Sequence, residues 1–221
     1  IVGDISQKEA EGIGKKISLG FTENKMISSI PLVRDKKGEE IRINHPAKQA
    51  HLYYGAPIIK RGDPDFLSLY LGNYILGGGG FVSRLTQVIR EDRGLAYSVY
   101  SYFMPYIEAG PFQIGVQTKK NQVNQAKDLI EKTVSDFIKN GPTSSELKRA
   151  KDFMIGGFPL KLDSNKSILE YVSMMAFYKY PLDYLDTFTK KIDKITAEEI
   201  KSAFQRRVDM NKFSTVIVGS E

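Results

Sequence analysis

The stretch Ile75-Leu-Gly-Gly-Gly-Gly-Phe-Val-Ser-Arg-Leu-Thr-Gln-Val-Ile-Arg-Glu-Asp-Arg-Gly-Leu-Ala-Tyr-Ser-Val-Tyr-Ser101 decides how the rest of the chain is read. It runs in order as a helix end, a glycine loop, a short helix, a glycine turn and the start of a strand. Glycines lose more backbone freedom in a helix or strand interior than any other residue. Gly77, Gly78, Gly79 and Gly80 therefore mark a place where the backbone bends sharply or approaches something closely. Arg90 at the helix end and Tyr97 at the strand start lie seven residues apart across the turn at Gly94, so they can converge on one point.

Two phosphate-binding readings of the glycines fail on their neighbours. A P-loop closes with Gly-Lys-Ser/Thr, whereas Phe81 and Val82 follow Gly80. A dinucleotide fingerprint follows a strand, whereas 64–76 reads as a helix. Two readings of the loop then stay open: a flexible loop against a substrate channel, or a tight connection between helices.

Working outward, Asp63-Pro64 starts the preceding helix, with proline where no N–H is needed. Phe66, Leu69, Tyr70, Asn73 and Tyr74 follow at helical spacing. Residues 48–59 alternate as a strand. Residues 22–46, with Pro31 and a Lys/Glu-rich patch, read as an exposed connector. Ser6-Gln-Lys-Glu9 is a capping box that opens a helix to about Leu19, and Ile1–Asp4 reads as a strand before it. Downstream, strands at 96–104 and 110–118 form a hairpin through Glu108-Ala-Gly-Pro111.

The remainder is helical. Asn121 caps a helix to about Lys139, which Gly141-Pro142 stops. Thr143-Ser-Ser-Glu146 opens another to about Leu162, kinked near Gly156, Gly157 and Pro159. Helices at 166–179 and 183–191 follow, then one opened by Thr196-Ala-Glu-Glu199 and running to about Arg207. Residues 213–218 close the chain as a strand. Met174, Met175, Phe177 and Tyr178 fit a core stripe. Strands in adjacent antiparallel pairs predict the α+β class: a mainly antiparallel sheet covered on one face by helices.

The motif around Arg90 resembles the second-half signature of the pitrilysin-like (M16) zinc metallopeptidases, the group that includes mitochondrial processing peptidase and insulin-degrading enzyme. The resemblance rests on Leu76 to Gly79, on Ser83-Arg84-Leu85 and on Arg90 to Val99. It implies a LuxS/MPP-like metallohydrolase fold built from two similar halves, each closed by a strand. The likeness of Ile1-Val2-Gly3-Asp4 to Val216-Ile-Val-Gly-Ser220 then places the start of this chain at the last strand of a preceding half. The resemblance further implies that residues 1–221 form one domain, the non-catalytic second half. By the same resemblance Arg90 and Tyr97 contact the backbone of a bound peptide, which adds as a strand to a sheet edge. The zinc ligands, in a His-x-x-Glu-His motif, belong to the other half. Zinc is thus expected in a partner half or subunit, with this chain inactive alone and paired as a dimer. The alternative it implies is a catalytically silent scaffold, as in core subunits of respiratory complexes.

The residues agree with a non-catalytic reading. A zinc site needs two or three His or carboxylate ligands, yet the only histidines, His45 and His51, are six residues apart and share no helical face. With no cysteine and no Gly-x-Ser-x-Gly, cysteine and nucleophile-elbow chemistry are excluded. The chain of 221 residues can bury a core as one domain or as two packed lobes. Its net charge of +6 is dispersed, densest at Lys190, Lys191 and Lys194. Nucleic-acid binders concentrate such charge on one face, so no nucleic-acid partner is expected. No apolar run reaches the roughly 18 residues of a membrane span. The first residue is Ile, which suggests processing or excision, and the compartment stays open between periplasm and cytoplasm.

Overall fold

The computed structural model describes residues 1–22, 29–34 and 36–219. Five strands form one sheet in the order β1-β5-β2-β4-β3. They are β1 (Glu40–Ile43), β2 (Gln49–Ile59), β3 (Ala96–Phe103), β4 (Gly110–Lys119) and β5 (Ser214–Val218). β2 pairs antiparallel with β4 and β5, and β3 with β4, whereas β1 lies parallel to β5. The α+β class therefore holds, with one parallel pair in an otherwise antiparallel sheet.

Alternation along the strands separates two faces. On β2, Ala50, Leu52, Tyr54 and Ala56 are buried while Tyr53 stays exposed. On β3, Val99 and Ser101 are buried and Tyr100 is exposed. The buried face is covered by α2 (Phe66–Asn73), α3 (Val123–Asn140) and α7 (Ala197–Arg207). Phe204 of α7 meets Phe103 of β3 edge-on at 6.2 Å and Phe137 of α3 at 4.8 Å. Beside them pack α4 (Ser144–Gly157), α5 (Asn165–Phe177) and α6 (Tyr184–Lys194). Phe158, just after α4, stacks on Phe188 of α6 at 4.5 Å.

Local signals place most helix starts. Ser6, Thr143 and Thr196 each complete a capping box with the glutamate three residues on, at the starts of α1 (Gln7–Ser18), α4 and α7. Elsewhere the structure corrects the sequence reading. Residues 1–4 form no strand, because an apolar run becomes one only beside a paired neighbour. The connector expected over 22–46 contains β1, whose four exposed residues are held by their ladder to β5; residues 23–28 and 35 lie outside the described residues. Gln122, not Asn121, precedes α3, after a 3-10 turn. α4 ends at Gly157, and a separate 3-10 turn spans Pro159–Leu162. Of the expected core stripe only Met175 is buried, while Phe177 is exposed.

One ion pair ties the glycine segment to the helical layer. Arg84 forks onto both carboxylate oxygens of Glu146 at 2.7 Å and donates to the Gly141 carbonyl at 3.0 Å. Its guanidinium also lies 4.9 Å from the Phe137 ring centroid. Burial alone would raise the Glu146 carboxyl, but the Arg84 fork and the Thr143 hydrogen bonds outweigh it and hold it down at about 2. The folded value lies below the ordinary 4.5, so this stabilisation is complete above the ordinary value and is lost as pH falls toward about 2. Solvent contact at the pair reduces its worth to about 1–2 kcal/mol. Glu146→Gln should therefore lower the melting temperature near neutral pH, and its deficit should shrink in acid. Melting curves of the two proteins from about pH 7 to about pH 3 check this; a constant deficit would contradict it.

Candidate peptide-gripping site

The glycine segment is not a free loop. The helix that begins as α2 widens into a π turn over Tyr74–Gly78, so Gly77 and Gly78 lie inside helical structure. Their missing side chains allow close approach. A Cβ on Gly77 would lie 2.3 Å from the Ser101 Oγ, and one on Gly78 would lie 2.6 Å from the Asn73 Nδ2. Behind them Asn73 and Ser101 form a buried pair. Ser101 Oγ donates to Asn73 Oδ1 at 2.6 Å, and Asn73 Nδ2 donates to the Ser101 carbonyl at 3.1 Å. Only Gly80, with φ +61° and open space beside it, serves as a turn glycine. Of the two loop readings, the geometry supports the tight connection.

A second π turn, Thr86–Glu91, carries Arg90. The extra residue in the turn rotates Arg90 off the face that a regular helix would give it. Gly94, at φ +60°, ends the turn in the left-handed conformation. Its N–H bonds the Arg90 carbonyl at 2.9 Å, and the Leu95 N–H reaches back to the Ile89 carbonyl at 2.9 Å. Thr118 Oγ1 of β4 donates to the Leu95 carbonyl. The backbone between Arg90 and Tyr97 is thus tied at both ends.

Tyr97 is placed by a bulge. Ala96 opposes Thr118 and Ser98 opposes Gln117, so Tyr97 is the extra residue of the β3–β4 ladder. A bulge re-aims the side chain it carries, and Tyr97 is 79% exposed with no hydrogen bond from its hydroxyl to a described residue. The Arg90 guanidinium lies 5.5 Å from the Tyr97 ring centroid and 4.6 Å from that of Phe81. It also touches Glu91 at 3.3 Å, a surface pair of small worth. The two sequence-predicted residues are therefore brought together, and Phe81, which the sequence reading passed over, joins them. Its position immediately after the glycine run was the available signal, with nothing to say which way it turns. β3 lies at an edge of the sheet.

The geometry supplies a guanidinium close to two exposed rings, one of them the Tyr97 phenol. Such a pair can bond backbone carbonyls and other oxygen acceptors. Among the described residues no group of three His, Cys, Asp or Glu side chains is placed to hold a metal ion. His45 lies in an exposed loop and His51 on β2. Among the described residues no helix is long and apolar enough to cross a membrane.

Comparison with known proteins agrees with the fold and the motif. A crystal structure of a peptidase M16 inactive domain from Pseudomonas fluorescens superposes with a TM-score of 0.94 at 35% identity, over 99% of this chain and 52% of that one. The periplasmic protease PqqL of Escherichia coli shares the fold alone, with a TM-score of 0.80 at 13% identity over 99% of this chain and 25% of that one. Among curated proteins, the non-peptidase homolog YmxG of Helicobacter pylori is 33% identical over 85% of this chain and 43% of its own length. The uncharacterized zinc protease YmxG of Bacillus subtilis is 38% identical over 58% of this chain and 31% of its own. The chain thus spans less than half the length of these curated relatives. The family model for the peptidase M16 inactive domain matches residues 1–154, most of the chain and all of the Arg90–Tyr97 segment, and the chain belongs to that family.

Proposed function

We propose that this domain grips the backbone of a peptide substrate beside a zinc site carried by another M16 half or subunit, completing an active chamber with it. The observation that carries this reading is the Arg90–Tyr97 pair: a guanidinium close to the Phe81 and Tyr97 rings, with the exposed Tyr97 on an edge strand. A peptide laid along that edge is held by main-chain hydrogen bonds. Arg90 donates to a peptide carbonyl, and Tyr97 donates to the backbone or to the oxyanion that develops at the scissile carbonyl. The zinc, held by the partner's ligands, supplies the activated water. Here the chain's task is to position and to exclude misaligned substrate.

The test is reconstitution. After dialysis, the chain alone should retain no stoichiometric zinc and should not cleave a fluorogenic peptide, and addition of a His-x-x-Glu-His-bearing half should restore chelator-sensitive cleavage. Stoichiometric zinc with chelator-sensitive cleavage by the chain alone would overturn the proposal. The name of the Helicobacter relative, a non-peptidase homolog, favours a second reading, a silent scaffold. Capture of endogenous partners separates the two: a zinc-motif paralogue supports the protease, and subunits of a membrane complex support the scaffold.

A further inference from the structure

A cavity lies away from Arg90 and Tyr97. Phe103, near the far end of β3, lines it, about 20 Å along the strand from Tyr97. It holds about 370 Å³ among α2, α5, α6 and the turn after α4. Phe66, Phe103, Met174 and Phe188 give it apolar walls, which suit the body of a small organic molecule.

Several of its polar groups are free to meet a ligand. The hydroxyls of Tyr70, Tyr171 and Tyr184 make no hydrogen bond to a described residue, and none of the three oxygens is fully enclosed, so they are open to a ligand. Arg61 stands among them with no acidic side chain within 4 Å among the described residues. Its Nε donates to the Pro105 carbonyl at 3.1 Å. Its guanidinium lies 5.7 Å from the Phe66 ring centroid and 5.1 Å from that of Tyr178. These contacts fix the group and leave its terminal nitrogens unbonded. Lys161 adds a second positive charge at the cavity wall, and Glu170 adds a negative one. One net positive charge with phenol donors suits a monoanion, and the carboxylate of Glu170 opposes a dianion such as phosphate.

We infer that this cavity binds a small carboxylate with an aromatic or apolar body, its oxygens on Arg61 and the tyrosine hydroxyls and its body among the rings. An aromatic acid and the C-terminal residue of a peptide share that chemistry. The inference does not depend on the role given to Arg90 and Tyr97.

The test titrates the 221-residue chain with 3-phenylpropionate and its amide, and with Ala-Ala-Phe bearing a free or an amidated C-terminus. Calorimetry gives affinities, and tyrosine-ring NMR shifts give location. The acid should bind saturably and about tenfold more tightly than its amide, as one charge-assisted hydrogen bond requires. Tyr184→Phe, which keeps the ring packing, and Arg61→Gln should each weaken the acid, and Arg61→Gln should erase the gap between acid and amide. Preference for the free over the amidated tripeptide supports the inference and assigns a peptide end. Binding of 3-phenylpropionate without the tripeptide supports it and assigns a free acid. No saturable binding of any acid, equal affinity for acid and amide, or affinities unmoved in both variants would overturn it.

Discussion

Arg90→Ala should lower kcat/KM of the reconstituted protease about 10- to 100-fold, the range expected when a charge-assisted hydrogen bond to substrate is removed. Tyr97→Phe should lower it about fivefold, the worth of one neutral hydrogen bond. On the proposed reading both residues grip one segment of backbone, so the double variant should fall short of the product of the two effects. Arg90→Lys is the informative control. It keeps the charge but loses the fork and the flat contact with Phe81 and Tyr97, so it should rescue activity only in part.

Stability separates this role from a structural one. Arg90 makes one surface ion pair and two ring contacts, and Tyr97 is exposed. Their loss should change the unfolding free energy by no more than about 1 kcal/mol. Steady-state assays with a fixed amount of a zinc-bearing half, together with urea unfolding of each variant, make the comparison. Unchanged activity in both single variants would remove the assignment, and so would activity losses that follow stability alone.

How much of this the sequence revealed depends on whether the signal was local. Capping boxes are set by two side chains three residues apart, and those at Ser6, Thr143 and Thr196 formed as read. Gly94 was legible as a turn because only glycine adopts its left-handed backbone at low cost. β1 was not legible. Four exposed residues carry no burial pattern, and their partner, β5, lies at the other end of the chain. The convergence of Arg90 and Tyr97 could be guessed from spacing, but what produces it could not. The π turn at Thr86–Glu91 and the bulge at Tyr97 each insert one residue into a regular repeat, and a one-position phase shift in so short a segment does not stand out from an irregular apolar pattern. The pairing of Arg84 with Glu146 likewise joins side chains 62 residues apart.

Gly77→Ala should be among the most damaging single-methyl changes in the glycine run, at about 2–3 kcal/mol of unfolding free energy. The added Cβ would meet Ser101 Oγ at 2.3 Å, Leu85 Cδ1 at 2.8 Å and Ser101 Cβ at 3.0 Å. Leu85 and Ser101 are both buried. Ser101 is not free to step aside, because its hydroxyl and carbonyl are both bonded to Asn73. The α-helix propensity of alanine gives little relief against a clash in a packed interior. Gly80→Ala is the contrast. Its Cβ would meet nothing within 4 Å, and only the left-handed φ of +61° opposes it, which costs about 1 kcal/mol. If the run were a flexible loop, the order would reverse or vanish, because a mobile segment accommodates a methyl at Gly77 and feels only the backbone preference. Urea unfolding of the two variants decides between these cases. A cost at Gly77 clearly above that at Gly80 means that the glycines are there to bring the π turn against β3, and so to fix the segment from which Phe81 and Arg90 project. Equal or inverted costs would mean that the loop moves.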